Sequence, residues 1–244
     1  MIAMMLPVSC SGKKARSTSA DVAGAEVFTT ASGKEVRINL IKHASLEIVY
    51  DSLSFQIDPV EALPPETDYS SYGKADYILV THEHFDHFDS IAIGILSDSS
   101  TMVISNAAVR SMLKSGTELA NGAKLPLRND ISIEAVPAYN TTSSHAKFHP
   151  KGRDNGYILT LDGLRIYIAG DTEDIPEMSG IQNIDIAFLP CNQPYTMTPE
   201  QLANAARMIK PRVLFPYHYN DTPIERVVDL LADEDINIRI RPMK

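Results

Sequence analysis

The sequence predicts an α/β fold in which two β-sheets pack face to face and helices cover their outer sides. Three observations predict it. Short β runs joined by two-residue turns occur in both halves of the chain, two later runs are continuously apolar, and the helical segments follow those apolar runs or the last strand. A strand covered on both faces needs no polar alternation. Two packed sheets flanked by helices bury such a pattern.

The elements justify this in order. In the first half EVRINLI (35–41), LEIVY (46–50) and LSFQID (53–58) are β runs, and Asp51 with Ser52 makes a two-residue hairpin turn between the last two. PVEALPPETDYSSYGK (59–74) reads as a loop, ADYILVT (75–81) as a buried strand and IAIGILS (91–97) as a helix. In the second half ISIEAVPA (131–138), GYILTL (156–161) and LRIYIAG (164–170) are β runs. Asp162 and Gly163 between the last two are a strong hairpin signal. IDIAFLP (184–190) repeats the type of ADYILVT. TPEQLANAARMIK (198–210) is a helix with Thr198 as N-cap and Pro199 at its first position. VLFPYHYN (213–220) is the last strand and PIERVVDLLAD (223–233) the last helix. Each half thus runs hairpin, aspartate at a strand end (Asp58, Asp171), loop, buried strand, helix. That order places the polar exits of several strands on one edge.

The length of 244 residues suits one large domain, here residues 26–244. Residues 11–25, rich in Ser, Ala, Lys and Gly, read as a linker, so 1–25 is expected to be a signal remnant and linker. MIAMMLPVSCSGKK resembles the tail of a bacterial lipoprotein signal with Cys10 as the lipidated residue. It lacks a positive n-region and has Pro7 where leucine is usual. The chain is therefore either a lipoprotein of the cell envelope or periplasm, anchored at Cys10, or cytoplasmic with a frayed N-terminus. No apolar run reaches the roughly 18 residues needed to cross a membrane. The formal charge of −9, without a basic stripe, excludes nucleic acid as the expected partner and leaves a small-molecule substrate. Two cysteines, Cys10 and Cys191, cannot build a disulfide framework.

Function concentrates in THEHFDHFD (81–89), directly after the apolar YILV. Three of the chain's seven histidines stand in it. Side chains two apart in an extended segment share a side, so His82 and His84 can reach one cation together. Asp86 and His87 follow where the chain should bend, and can turn toward a second point. Imidazole and carboxylate suit zinc or a similar divalent ion. Glu83 and Asp89 fall out of phase and read as surface or supporting groups.

His82-x-His84-x-Asp86-His87 resembles the signature of the metallo-β-lactamase superfamily, a four-layer αββα sandwich with a two-metal site at one edge. Asp58, Asp171 in GDT (170–172) and His218 in PYHY (216–219) follow in the order that family shows. HASL (43–46), FHPKG, IYIAGDT and YTM (195–197) make the chain similar to the small-hydrolase branch that includes ascorbate-6-phosphate lactonase. The resemblance implies that His82 and His84 hold a first metal and Asp86 and His87 a second. It implies that Asp171 bridges the two, His218 completes the second site, and Asp58 supports the histidine loop. Two zinc ions per chain are expected, with manganese or iron as alternatives.

One departure stands out. The family usually has a histidine just after the run that here reads EAVPAYN (134–140), where this chain has Tyr139 and Asn140. His149 is favoured as the replacement, because Pro150 and Gly152 suggest a fixed loop; His145 and Asn140 remain open. His43 reads either as a substrate-contacting or proton-transferring group or as a core histidine. Cys191 reads as a small buried thiol. Lys151 and Arg153 read as surface charge, or as a grip for a substrate phosphate or carboxylate.

The implied chemistry is hydrolysis. A water shared by two cations roughly 3.5–4 Å apart is lowered from pKa 15.7 toward about 7, and Asp86 or Asp171 accepts its proton or orients it. The expected substrate is a small ester, lactone or phosphodiester. The alternatives are a di-iron redox protein, disfavoured by His84 where that branch has glutamate, and a non-catalytic protein on the same scaffold.

Overall fold

Both hairpin signals close tight turns in left-handed backbone, Asp51 and Ser52 at φ 50° and 66°, Asp162 and Gly163 at φ 45° and 82°. Each turn sits inside one of two seven-stranded sheets. The computed structural model describes residues 24–244. The expected lipid anchor at Cys10 and nearly all of the 1–25 linker lie outside the described residues.

The first sheet runs in chain order through β1 (Glu26–Thr29), β2 (Glu35–Lys42), β3 (Ser45–Tyr50), β4 (Leu53–Ile57), β5 (Tyr77–Val80), β6 (Met102–Ser105) and β7 (Thr117–Glu118). The second runs through β8 (Lys124–Arg128), β9 (Ile131–Ala138), β10 (Asp154–Leu161), β11 (Leu164–Ile168), β12 (Ile186–Pro190), β13 (Val213–Tyr217) and β14 (Asn237–Ile238). In each sheet the first four strands pair antiparallel and the last three add in parallel. The coarse likeness between halves is therefore a repeat of topology. β4 corresponds to β11, β5 to β12 and β6 to β13.

Four α-helices stand among the described residues: α1 (Ser90–Leu96), α2 (Ala107–Leu113), α3 (Pro199–Ile209) and α4 (Arg226–Leu230). In β5, Leu79 joins the large core cluster shared by both sheets, whereas Ile78 and Val80 join Ala92, Ile93 and Leu96 of α1 in a smaller outer cluster. One strand thus contacts two layers, which is why it reads as unbroken apolar sequence. The architecture is the α/β sandwich expected.

Three expectations need correction in detail. α4 covers five residues of the segment 223–233; no side chain caps its start, and the Leu231 amide bonds the carbonyls of Asp229 and Val227, tightening the end. The segment after Val80 is not extended as its histidine spacing suggests. It bends from Glu83, before Asp86, with His84 O accepting from the amides of His87 (2.9 Å) and Phe88 (2.8 Å). Asp89 is the N-cap of α1, its carboxylate accepting from Ile91 N at 2.8 Å and Ala92 N at 3.3 Å. By contrast α3 starts as its sequence says, with a capping box between Thr198 and Gln201.

Candidate metal centre

The exits of β4, β5, β11 and β13 and the β2–β3 turn meet at one edge of the sandwich. Two groups of donors lie there. His82, His84, His149 and Asp171 form one; His43, Asp86, His87 and His218 form the other. Within each group one ligand atom per residue lies within 4.8 Å of every other. Asp171 stands between the groups. Its Oδ2 is 3.3 Å from His149 Nε2, 3.4 Å from His218 Nε2 and 3.9 Å from His82 Nε2, and its Oδ1 is 3.2 Å from His87 Nε2. In the second group Asp86 Oδ2 is 3.3 Å from His43 Nε2 and 3.5 Å from His218 Nε2.

In His82, His87 and His149 the ring nitrogen facing away from this space is held by an acceptor. His87 Nδ1 donates to Asp58 Oδ2 at 2.8 Å and His149 Nδ1 to Asp154 Oδ2 at 3.0 Å. Thr81 Oγ1 donates to Asp58 (2.7 Å) and so can accept from His82 Nδ1 at 3.0 Å. Each of these contacts makes Nδ1 the donor and leaves Nε2 facing inward, so the neutral ring is the tautomer a metal requires. His87 Nε2, His149 Nε2, His218 Nε2 and Asp171 Oδ1 are buried without a hydrogen-bond partner. Buried polar atoms are rarely left so, and one cation in each group would satisfy them. The donor set fits divalent metal.

Electrostatics divide the imidazoles into two sets. Burial would raise the Asp171 and Asp86 carboxyls, but the surrounding imidazoles outweigh it and hold both well below the usual carboxylate range. Burial pushes His82, His84 and His43 down, keeping them neutral. Burial would also lower His87 and His149, yet Asp171 with Asp58 raises the first and Asp154 with Asp171 takes the second to about 9. Backbone strain collects at the same edge: His43, Asp58 and His218 have φ of 48°, 42° and 49°, each a cost of about 1–3 kcal/mol that surrounding structure must hold.

Residues 37–218 match the family model described as a β-lactamase superfamily domain. The chain belongs to this superfamily. A "UPF0173 metal-dependent hydrolase" of Thermococcus kodakarensis is 34% identical over 196 residues, 77% of this chain and 86% of that relative. A crystal structure from Parabacteroides distasonis, described as a metal-dependent hydrolase, is 53% identical with TM-score 0.88, over 91% of this chain and 99% of that one. Igni18, a metallo hydrolase of Ignicoccus hospitalis, is 25% identical with TM-score 0.70, over 86% and 96%. This member of the superfamily is a metal-dependent hydrolase.

The superfamily resemblance left the end of β9 open, and the geometry there is specific. Asn140 turns away, its amide donating to the carbonyls of Tyr195 (2.8 Å) and His145 (3.3 Å). His145 Nδ1 lies against Glu173 Oε1 at 3.1 Å. Of the three candidates His149 alone enters the donor groups. Its loop is not fixed by Pro150 and Gly152 alone: Asn140 N donates to His149 O at 2.9 Å, and Glu173 Oε2 accepts from the amides of Thr141 (2.8 Å) and Thr142 (2.7 Å). Sequence reasoning missed Asp154, Glu173 and Thr81. The only available signal was acidic residues placed directly beside apolar strands. Lys151 pairs with Glu177 at 2.7 Å, and Arg153 with Asp154 at 2.6 Å and Glu83 at 3.2 Å. Cys191 is buried, which pushes its thiol up to about 12 and makes it a poor nucleophile.

Proposed function

We propose that this enzyme hydrolyses a small ester, lactone or phosphodiester with a water activated between two cations, zinc being the expected metal. The observation that carries the reading is the pair of four-residue donor groups with Asp171 facing both. His82, His84 and His149 would hold one cation, and Asp86, His87 and His218 the other, with Asp171 shared.

When bound, the cations supply Lewis acidity and lower the pKa of a shared water toward about 7. The chain's own groups do the rest. Asp86, kept ionised by His218 and His43, accepts the proton of the attacking water. His43, neutral because it is buried, faces that carboxylate at 3.3 Å and donates its Nε2 proton to it, orienting the carboxylate, which then returns the water's proton to the leaving oxygen. The acyl or phosphoryl centre gains the water's hydroxyl, its bond to the leaving oxygen breaks, and that oxygen takes the proton. Asp58, Thr81 and Asp154 fix the imidazoles so that no reorganisation is needed during the step.

The test is metal content of the purified full chain, followed by a panel of esters, lactones and phosphodiesters. About two zinc per chain and turnover of one class are expected. His84→Ala should lose about half the metal and fall to background hydrolysis, because a lost ligand opens the first site. Metal content unchanged in that variant would remove the basis of the assignment.

A further inference from the structure

The donor groups open into a cavity of about 790 Å³, a usual size for a small-molecule site. A second hollow of about 600 Å³ adjoins it and shares Leu63, Pro64, Glu83 and Phe85 with it. Beyond that shared ridge the second hollow is walled by Val60, Phe88, Ile91 and Met112. Phe85, Ile91 and Met112 are 79%, 65% and 56% exposed. Contiguous exposed apolar surface beside a catalytic centre marks a binding groove rather than ordinary surface.

Few cationic side chains line the site. Among the residues lining the cavity the one Lys or Arg is Lys244, and it faces Asp221 at 3.9 Å. Lys151 and Arg153 are held by Glu177, Asp154 and Glu83. Lys42 is buried and its ammonium donates to the carbonyls of Glu61 (2.9 Å), Leu63 and Pro65 (2.8 Å). That cradle fixes the 61–65 loop that supplies the ridge. The hollow's own carboxylates are also engaged, Glu83 with Arg153 and Asp89 with the start of α1 and the Glu61 amide at 3.0 Å. No Lys or Arg lines the second hollow, so an anionic substituent meets no cation there, whereas hydrocarbon meets Val60, Phe88, Ile91 and Met112.

We propose that the substrate is a neutral carboxylic ester or lactone bearing an apolar arm, which crosses Phe85 and lies in the hollow of Ile91, Phe88 and Met112. The inference rests on the hydrolytic reading above and adds the uncharged hydrocarbon arm of its substrate.

The test uses para-nitrophenyl esters from acetyl to decanoyl with the zinc-loaded full chain, and 1-decanol binding to the metal-free chain by displacement of an environment-sensitive alkyl dye. Each methylene buried is worth about a threefold to fourfold gain, so kcat/KM should rise at least tenfold from acetyl to octanoyl. Met112→Glu should compress that ratio severalfold and weaken 1-decanol binding to the same extent, with zinc content unchanged. A rate flat in chain length, with short esters still cleaved, overturns the groove but leaves the hydrolytic reading. If no ester is cleaved, that reading fails for esters and the groove is judged by 1-decanol alone; absent or Met112-insensitive binding overturns it. A dimer in solution that Met112→Glu splits would assign the surface to a second copy, and overturn it too.

Discussion

His149 joins His82, His84 and Asp171 from a loop, whereas the chain just after β9 carries Tyr139 and Asn140. Its Nδ1 is held by Asp154 and its backbone by Asn140, so the ring is aimed before any cation arrives. His149→Ala is expected to lower metal content, while His145→Ala, which removes a partner of Glu173, should leave it unchanged; elemental analysis of the two proteins decides, and the opposite pattern would transfer the role to His145. The same ring sets a pH dependence. Burial would lower it, but Asp154 and Asp171 raise it to about 9, and a metal takes only the neutral imidazole. Below that pH, binding must expel a proton, so affinity falls as the solution becomes more acid. Zinc added to the metal-free protein at neutral pH, in weak buffer with an indicator dye, should release at least one proton per chain. His149→Ala should release one fewer, and equal release from both proteins would contradict the assignment. The donors themselves were legible in the sequence, because imidazoles and carboxylates crowd a strand exit where solvated turns rarely place them. Asp154 and Glu173 were not, since an acid acquires its meaning from the backbone amide or ring that folding brings to it.

The two halves share a device at corresponding positions. Asp58 follows β4 and Asp171 follows β11, each reached through left-handed backbone, at Asp58 itself (φ 42°) and at Gly170 (φ 64°). Gly170 is there for a second reason: a Cβ on it would stand 2.7 Å from Asn155 O and 3.2 Å from Thr81 Cβ, and its amide donates to Tyr217 OH at 2.9 Å. Gly170→Ala should cost about 1–3 kcal/mol and displace Asp171. Urea unfolding of the metal-free protein would read the first effect and zinc affinity the second; wild-type values in both would show that the close approach is not enforced. The central strands were readable because each is apolar on one or both faces over several residues, and α3 because its cap is written in Thr198, Pro199 and Gln201. β7 and β14 span two residues each, too short for any period. In β8, Pro126 breaks the run, as an edge position allows. α2 escaped for a different reason: its seven residues bury only Val109, so no apolar stripe announces it.

Donors reach the centre from both sheets. His82, His84, Asp86 and His87 leave the end of β5 in the first; Asp171 and His218 leave β11 and β13 in the second, and His149 comes from the loop between β9 and β10. Without a cation this edge holds Asp86 and Asp171 among five buried imidazoles, with several inward polar atoms lacking a hydrogen-bond partner. A cation bound there ties one sheet to the other, and a preformed set of ligands does not exist in the unfolded chain, so its binding energy becomes folding energy. At a free concentration a thousand times the dissociation constant, the gain is about 4 kcal/mol, which for a chain of this size corresponds to roughly 8–16 °C in Tm. Removing metal with a chelator should lower Tm by an amount of that order, and returning zinc should restore it in proportion to the logarithm of free zinc. His84→Ala should show a smaller shift, because one group of donors would be incomplete. A Tm indifferent to zinc across a thousandfold range would mean that the two sheets hold this edge together unaided, and that the donors are not the staple their placement between the sheets makes them.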